Sequence, residues 1–412
     1  MNGTHPNSRS ERIIRMPLSR RGFLLGTSAT ATLGALTGCA PTDGSQQSVW
    51  STYGVGTGTY NDLAAVANTL TQVNRRQVRL MTSSTGMGRM APLINGTADL
   101  ARSGDEYFYA FEGDDEFCSP QWGPQSVRQV WSPQGNYGVL VRKDSGIETV
   151  EDLRGRNYPN LVGATSINRK LEAFLNYGGL TRSDTNLVNV SYAGQVEAMK
   201  TGQLDALYQN VVGSNVEELA SQYPIRWLDL SSDNPARFAS WKRLAPIARP
   251  GRFSGGAGMA EGESAVNMQY SIPLTALSTR SSDEVQELVT QIHDNFDRYK
   301  SATRDTKLFA LDKIMLTPMV VPFHDGAVAF FKEKGVWTPG LQARHEALLD
   351  REGRLKEAWP GFREAHGKED GAPKHWFDWK QENLPELPPI NDLPETDAAP
   401  TCLLYTSPSP RD

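Results

Sequence analysis

Hydrophobic and polar residues alternate along the first half of the chain in a way that predicts strands followed by helices. Residues 78–81 have the length and composition of a strand, and apolar residues recur every three or four positions over 61–74, the spacing of one helix face. Asn61 is a suitable N-cap for that helix. The same order returns later, where strands are predicted at 161–164, 188–192 and 204–208. Alternating strands and helices are typical of parallel sheets, so the pattern predicts an α/β fold with two lobes.

The rest of the chain is predicted to be mostly helical. Amphipathic patterns cover 283–299, 322–334 and 342–365, and a Pro-rich run beyond Leu384 indicates extended or disordered chain. The predicted divisions are an export signal at 1–38, a linker at 39–48, a first lobe formed by 49–143 with part of 250–340, a second lobe at 144–249, a C-terminal extension at 341–401 and a foreign tail at 402–412.

The first 38 residues have the features of an export signal. Residues 19–25 resemble the twin-arginine export motif, and a mildly apolar run follows at 23–36. This run is too short, and too rich in Thr, Ser and Gly, to remain as a span across about 30 Å of hydrocarbon. Residues 36–39 resemble a lipobox, in which Cys39 is acylated and anchors the protein to a membrane. The alternative is a plain cleaved signal with an incidental cysteine.

The other two cysteines, Cys118 and Cys402, indicate no intramolecular disulfide. Cys402 lies in the tail 402–412, which resembles a translated sequencing adapter and is not expected to belong to the fold. Cys118 follows the acidic residues 114–116, which disfavour a thiolate, so we expect it to be inert.

Composition and charge exclude several classes of protein. Hydrophobic residues make up 38% of the chain and charged residues 22%, which excludes a disordered or multi-span membrane protein. The net charge is −5, and because residues 1–38 contribute +4, the remainder carries −9. An acidic chain of this kind is not expected to bind nucleic acid, whose phosphates require a basic face.

Four loops share one design, in which a predicted strand ends, small hydroxyl or glycine residues follow, and a helix begins. They are residues 54–60, 83–86, 164–166 and 192–194. In a parallel sheet such loops lie at the carboxyl edge, where open α/β folds bind ligands. A helix N-terminus presents unpaired N–H groups and partial positive charge, which suits a carboxylate. The set favours a cleft for a small anion; the alternative for each loop alone is that it only caps its own helix.

These loops belong to a longer series of motifs that resembles a known family. The series includes GxGxGTY at 54–60, GTADL at 96–100, GQLDA at 202–206 and PFHDGA at 322–327. Over residues 49–337 its order and spacing resemble the TAXI-type solute-binding subunits of tripartite ATP-independent periplasmic (TRAP) transporters. The resemblance implies a two-lobed fold like the type II periplasmic binding proteins, which closes over a small carboxylate such as glutamate. It also implies a membrane permease as partner, and we expect a monomer.

Carried over by position, the resemblance implies ligand contacts from both lobes. The implied ligand-binding residues are Thr57, Gly58, Thr59, Tyr60, Ser84, Thr85, Thr165, Ser166, Tyr208 and Gln209. The chain departs from the family in three ways: residues 163–168 lack the usual glycine-rich turn, a lipid anchor is not the common form, and the extension beyond Gly340 exceeds the minimal subunit.

The sequence predicts no enzyme, metal or cofactor. It contains neither Gly-x-Ser-x-Gly nor His-Glu-x-x-His, and its glycine loop lacks the lysine of a phosphate-binding loop. His324 precedes a helix and is expected to order that turn. Arg89, Arg102 and Arg169 could each pair a second ligand carboxylate, but surface positions are expected for all three. The alternative function is that of an extracytoplasmic sensor or scaffold which binds a ligand without transport.

Overall fold

The computed structural model describes residues 47–231, 237, 244–369 and 371–385, so the export signal, Cys39 and the tail at 402–412 lie outside the described residues. The described strands are β1 (Gln47–Thr52), β2 (Gln77–Thr82), β3 (Leu100–Arg102), β4 (Val127–Trp131), β5 (Gln134–Arg142), β6 (Asn157–Leu161), β7 (Asn186–Val190), β8 (Ala206–Asn210), β9 (Ile225–Trp227), β10 (Arg249–Ser254), β11 (Ser264–Ser271) and β12 (Leu274–Leu277). The described helices are α1 (Gly58–Asn74), α2 (Gly86–Ile94), α3 (Glu106–Glu112), α4 (Thr165–Tyr177), α5 (Gln195–Lys200), α6 (Ser214–Gln222), α7 (Ser282–Asp294), α8 (Phe296–Tyr299), α9 (Asp325–Glu333), α10 (Pro339–His366) and α11 (Ala372–Asn383).

The first lobe is built on a mixed sheet with the strand order β2-β1-β3-β12-β4. Strand β1 runs parallel to both β2 and β3, whereas β12 runs antiparallel to β3 and β4. The core of this lobe contains the fully buried Trp50 and Trp131. The Trp131 ring lies 5.9 Å from each of the rings of Phe330 and Phe331 on α9, so that helix covers one end of the sheet.

The second lobe has a sheet with the order β10-β11-β5-β8, and β9 also pairs with β5. Strands β6 and β7 form a separate parallel pair. Strand β5 lies inside residues 49–143, the range that the sequence assigned to the first lobe, but its described partners β8, β9 and β11 all belong to the second sheet. The boundary differs from the predicted one because antiparallel pairing with distant strands, which local patterning does not reveal, decides where β5 lies.

Among the described strands, the chain passes between the two sheets twice, each time through two residues. Residues 132–133 join β4 to β5, and residues 272–273 join β11 to β12. Each crossing contains a proline, Pro133 or Pro273, whose ring fixes φ. In the first crossing the Ser132 hydroxyl donates a hydrogen bond to the Met315 carbonyl at 2.8 Å.

Most predicted elements have the expected type, but several boundaries differ by a few residues. Two of these differences have a clear local cause. Helix α1 begins at Gly58 and not near Asn61, because the Thr57 hydroxyl accepts a hydrogen bond from the Tyr60 N–H at 3.2 Å and acts as the N-cap. The strand expected at 161–164 ends at Leu161, because Gly163 adopts a left-handed φ of 68° and turns the chain.

Two smaller predictions are confirmed. The ring of His324 orders the start of α9 by accepting a hydrogen bond from the Gly326 N–H through Nδ1 at 3.3 Å. Cys118 is buried, and burial together with Asp114 raises the pKa of its thiol to about 12, which suppresses thiolate chemistry.

The C-terminal extension packs on the first lobe through α10 and α11. The Trp376 side chain is fully buried and donates a hydrogen bond to the Glu112 carbonyl at the end of α3 at 2.8 Å. The Glu112 carboxylate accepts two hydrogen bonds from Arg351 of α10, at 2.7 and 2.9 Å. Lys380 of α11 contacts Glu112 at 2.8 Å and Asp114 at 2.7 Å. Both helices of the extension therefore hold α3 and the loop that follows it.

Within the described part of the chain, no helix is both long and apolar enough to cross a bilayer.

Candidate functional site

Loops at the carboxyl ends of strands from both lobes meet at the boundary between the lobes. The loops after β2 and β6 meet where the Gly86 N–H approaches the Gly163 carbonyl at 3.5 Å. At the loops after β1 and β8, the Ser214 hydroxyl donates to the Gly56 carbonyl at 3.4 Å. The rings of Tyr53 and Tyr192, which follow β1 and β7, lie 6.5 Å apart. Residues from all four loops singled out in the sequence thus lie at one boundary, in a closed arrangement.

Two of the threonines in these loops cap their own helices. Thr57 accepts from the Tyr60 N–H, as described, and donates to the Gly54 carbonyl at 2.9 Å. Thr85 accepts from the Gly88 N–H at 3.1 Å at the start of α2. Both hydroxyls are therefore engaged within the first lobe, as the capping alternative describes.

The other positions named in the first lobe differ in exposure. Thr59 is buried, and its carbonyl accepts a hydrogen bond from Arg102 at 2.9 Å. Ser84 is exposed, whereas Gly58 and Tyr60 are partly buried. The positions of the first-lobe loops that contact the second lobe through their backbone are instead Gly56 and Gly86.

The start of α4 in the second lobe contacts carboxylates of the first lobe. The N-cap position, Ala164, provides no side-chain cap. The Ser166 hydroxyl donates to Glu106 Oε1 at 2.9 Å, and the Thr165 hydroxyl donates to Glu116 Oε1 at 2.7 Å. A helix N-terminus of this kind stabilises negative charge. The place that the sequence predicted for a ligand carboxylate is thus next to the protein's own glutamates.

The next turn of α4 continues this contact with two cations. Lys170 forms an ion pair with Asp105, and the side chains of both are only 1% exposed. Arg169 forms an ion pair with Asp115, whose side chain is 9% exposed. The first two turns of α4 therefore form hydrogen bonds and ion pairs with acidic side chains of the first lobe between residues 105 and 116.

Two of these carboxyl groups have raised pKa values. Burial raises the pKa of Asp105 to about 6, although Lys170 acts in the opposite direction. Burial likewise raises the pKa of Asp115 to about 6 against the effect of Arg169. For both carboxyl groups, desolvation raises the pKa by more than the paired cation lowers it.

Arg89 of α2 lies at the same boundary. Its guanidinium stacks on the Tyr53 ring at 3.8 Å from the centroid, and its Nη2 atom lies 3.6 Å from Glu106 Oε2. The expectation that Arg89, Arg102 and Arg169 lie on the surface was wrong. Arg89 and Arg102 are buried, and the Arg169 side chain is 31% exposed, because each has an acidic, aromatic or carbonyl partner in the fold.

Several polar atoms at this boundary have no hydrogen-bond partner among the described residues. They are Asp105 Oδ1, Glu106 Oε2 and Arg89 Nε, and all three residues are at least nine-tenths buried. A buried acceptor or donor without a partner costs about 1–3 kcal/mol. Two acceptors and one donor at this boundary therefore have unused hydrogen-bonding capacity.

Tyr208 and Gln209 of β8 lie in the second lobe, next to residues that contact Lys170 and the loop after β7. The Tyr208 hydroxyl is 2.6 Å from that of Tyr270, whose ring lies 4.5 Å from the Lys170 ammonium. Tyr137 stacks on Tyr270 at 4.3 Å. Gln209 donates to the carbonyl of Tyr192 at 2.8 Å. These side chains support Lys170 and the loop after β7 from the second lobe.

The site residues predicted from the sequence do not include Asp105, Glu106 and Lys170. A signal for the first two exists, because Ser103 and Gly104 follow β3 directly and α3 begins at Glu106, which is the same strand–small residue–helix design. This loop is acidic, however, and a site for an anion predicts hydrogen-bond donors. Lys170 lies in the second turn of α4, where no loop pattern identifies it.

Two α/β lobes that are linked by short crossings and meet through their carboxyl-end loops define the two-lobed class of solute-binding folds. Within this class the chain belongs to the NMT1-like family, whose model matches residues 44–335. No curated protein matches the chain significantly.

Solved structures with similar folds share little sequence with this chain. The alkanesulfonate-binding protein SsuA from Xanthomonas axonopodis pv. citri, bound to MOPS, is 16% identical, with 83% of this chain and 95% of that chain covered and a TM-score of 0.38. The periplasmic aliphatic sulphonate binding protein SsuA from Escherichia coli is 12% identical, with 89% and 97% covered and a TM-score of 0.40. A Streptococcus mutans structure described for glutathione import via GshT is 11% identical, with 65% and 98% covered and a TM-score of 0.41.

Proposed function

We propose that the chain is an extracytoplasmic solute-binding protein that holds a small solute between its lobes and delivers it to a membrane permease. The observation that supports this most directly is the boundary itself, where loops and helix starts from both lobes bring buried charges of both signs together. Short crossings at 132–133 and 272–273 would allow the lobes to open and close around a solute. The proposed activity is binding and not catalysis.

The charges at the boundary favour a solute that carries both a carboxylate and an ammonium group. The uncapped start of α4, with Lys170 and Arg89 nearby, suits the carboxylate. Asp105 Oδ1 and Glu106 Oε2 have no hydrogen-bond partner among the described residues and suit the ammonium group. A dicarboxylate such as glutarate lacks that group and would bring these two oxygens no donor. We therefore favour an amino acid such as glutamate over a dicarboxylate of the same length.

Titration calorimetry with L-glutamate and glutarate tests this choice, because the two molecules differ only in the α-amino group. Hydrogen bonds to charged groups contribute about 1.5–3 kcal/mol, so glutamate is expected to bind roughly 10- to 100-fold more tightly than glutarate. Replacing Asp105 by Asn should reduce that ratio. If glutarate binds as tightly as glutamate, the ammonium assignment is wrong. Should neither these nor other small carboxylates or amino acids produce heat, the solute-binding proposal itself fails.

The permease partner is proposed to be a TRAP transporter, on the support of the motif series from 54–60 to 322–327. Membrane vesicles that contain a TRAP permease should accumulate the bound solute only when this chain is added. Tight binding without any stimulation of uptake would instead favour the sensor or scaffold alternative.

We propose a periplasmic location with a lipid anchor at Cys39, reached by the twin-arginine route. The support is the twin-arginine-like segment at 19–25 and the lipobox-like segment at 36–39. A single acyl chain binds membranes only weakly, so stable anchoring depends on full acylation of this cysteine. Cys39→Ser should move the exported protein from the membrane fraction to the soluble fraction. Unchanged membrane association of the variant would contradict the anchor.

A further inference from the structure

A second contact between the lobes lies at the turn formed by residues 303–306, away from α4. Thr303 donates through its hydroxyl to Asp62 Oδ1 of α1 at 2.6 Å, on the side of the first lobe. The next two residues contact the second lobe. Arg304 donates to the Gly255 carbonyl at 2.8 Å and pairs with Glu217 of α6.

Asp305 forms the central contact of this turn. Its Oδ2 atom accepts a hydrogen bond from Asn210 Nδ2, at the end of β8, at 2.7 Å. The Asn210 amide is oriented by the Val212 N–H, which donates to Asn210 Oδ1 at 2.8 Å. The turn itself is held by paired hydrogen bonds between Thr303 and Thr306, each N–H donating to the other hydroxyl at 3.1 Å. A well-defined turn of the first lobe therefore presents one carboxyl group to the second lobe.

Two carboxyl groups on the first-lobe side share one buried cation. Asp62 is buried and Asp305 is partly buried, and the buried cation is Arg102, whose Nη1 lies 3.7 Å from Asp62 Oδ2. Lys307 is exposed and gives only a weaker attraction. The other titratable or charged groups that face this cluster are Tyr137 and Tyr192 from the second lobe, together with the outward-facing pair Arg304 and Glu217.

We propose that Asp305 is a proton-operated latch, which takes up a proton when the lobes close and so favours the closed form as the pH falls. The proposal rests on the lobe closure that is part of the proposed function. Asp62 and the partly buried Asp305 share one buried cation at the closed boundary, which leaves an excess of negative charge that uptake of a proton removes. In the open form Asp305 is hydrated and ionises at its ordinary pKa.

The direction of the effect follows from linkage. Burial, and next the neighbouring Asp62, raise the pKa of Asp305 to about 7 in the closed form, from an ordinary value of 3.8. The closed form therefore binds more protons than the open form between about pH 4 and pH 7, and its added stability is lost as the pH rises through 7. Asp105 and Asp115 also favour the closed form as the pH falls, but their pKa values are about 6. Between pH 6 and pH 8, Asp305 therefore contributes more than either of them to the change in the closed-to-open ratio.

Fluorescence energy transfer between labels on the two lobes tests the latch without any solute. Val73→Cys on α1 and Leu187→Cys on β7 provide exposed labelling sites, in a full chain with Cys39 and Cys402 replaced by Ser and the buried Cys118 kept. From pH 8 to pH 6, the closed-to-open ratio of this protein should rise about tenfold more than that of the same protein carrying Asp305→Asn. Asp312→Asn, an exposed acid in the same segment, is the matched control and should behave as the parent.

Two outcomes would overturn the proposal. A closed-to-open ratio that does not change between pH 8 and pH 6 excludes a latch in this range. An unchanged pH profile in the Asp305→Asn variant assigns the effect to Asp105 and Asp115 instead. Because no solute is present, either outcome is independent of the calorimetric test of solute binding.

Discussion

Replacing Lys380 by Met is expected to lower the free energy of unfolding by about 3–5 kcal/mol, because removing one partner of a buried ion pair leaves the others uncompensated. Lys380 is 3% exposed and contacts both Glu112 and Asp114, which are also buried. Burial alone would raise the pKa of Glu112, but Lys380 and Arg351 lower it to about 2, so this carboxylate is ionised and depends on its cations. Denaturant unfolding monitored by circular dichroism measures the loss.

The matched control for this variant is Lys374→Met on the same helix. Lys374 is 78% exposed and pairs with Asp378 on the surface, where such a pair contributes about 0.3–0.5 kcal/mol. Similar losses for the two variants would mean that the extension is not held by its buried charges. A large loss for Lys380→Met alone shows that α11 is an integral part of the folded lobe.

Replacing Lys170 by Met is expected to open the lobes. In the closed arrangement the variant leaves Asp105 buried without its cation, whereas in the open arrangement water solvates that carboxylate. Breaking a buried pair costs about 3–5 kcal/mol, so the closed-to-open ratio should fall at least about 100-fold at neutral pH. Small-angle scattering should show a larger radius of gyration, and the energy transfer between labels at positions 73 and 187 should decrease.

Lys200→Met is the control for this second variant. Lys200 also lies in the second lobe, on α5, but its partner Glu218 is exposed and belongs to the same lobe. It should leave the radius of gyration unchanged. If Lys170→Met lowers thermal stability but leaves the scattering curve as it was, the ion pair with Asp105 is structural and does not control closure.

The local elements could largely be predicted because their signals lie within a few residues. The strand at 78–81 and the helix over 61–74 correspond to β2 and α1, and the expected turn function of His324 at the start of α9 is confirmed. Errors occurred where one residue overrides the pattern. Gly163 ended a strand early through its positive φ, and Thr57 began a helix early through its hydroxyl.

The pairing of charges could not be predicted in the same way. Arg89, Asp105 and Lys170 are separated by up to 81 positions in the sequence but lie at one boundary, and polar residues of this kind are usually exposed. Asp105 and Lys170 are each buried against a partner from the other lobe, and Arg89 is buried against Tyr53 and Glu106 of its own lobe. For the same reason, nothing in the local sequence of α11 indicated that Lys380 is buried.

By itself, the sequence determined the α/β character of this protein, the order of most of its elements, and the loops that end its strands, because hydrophobic periodicity and turn residues act over short distances. Only the tertiary structure decided that β5 belongs to the second sheet, that acidic side chains face the start of α4, and that the C-terminal helices hold α3. Strand pairing and the burial of charge are settled by residues far apart in the chain, and their free energies depend on what surrounds them once the chain has folded.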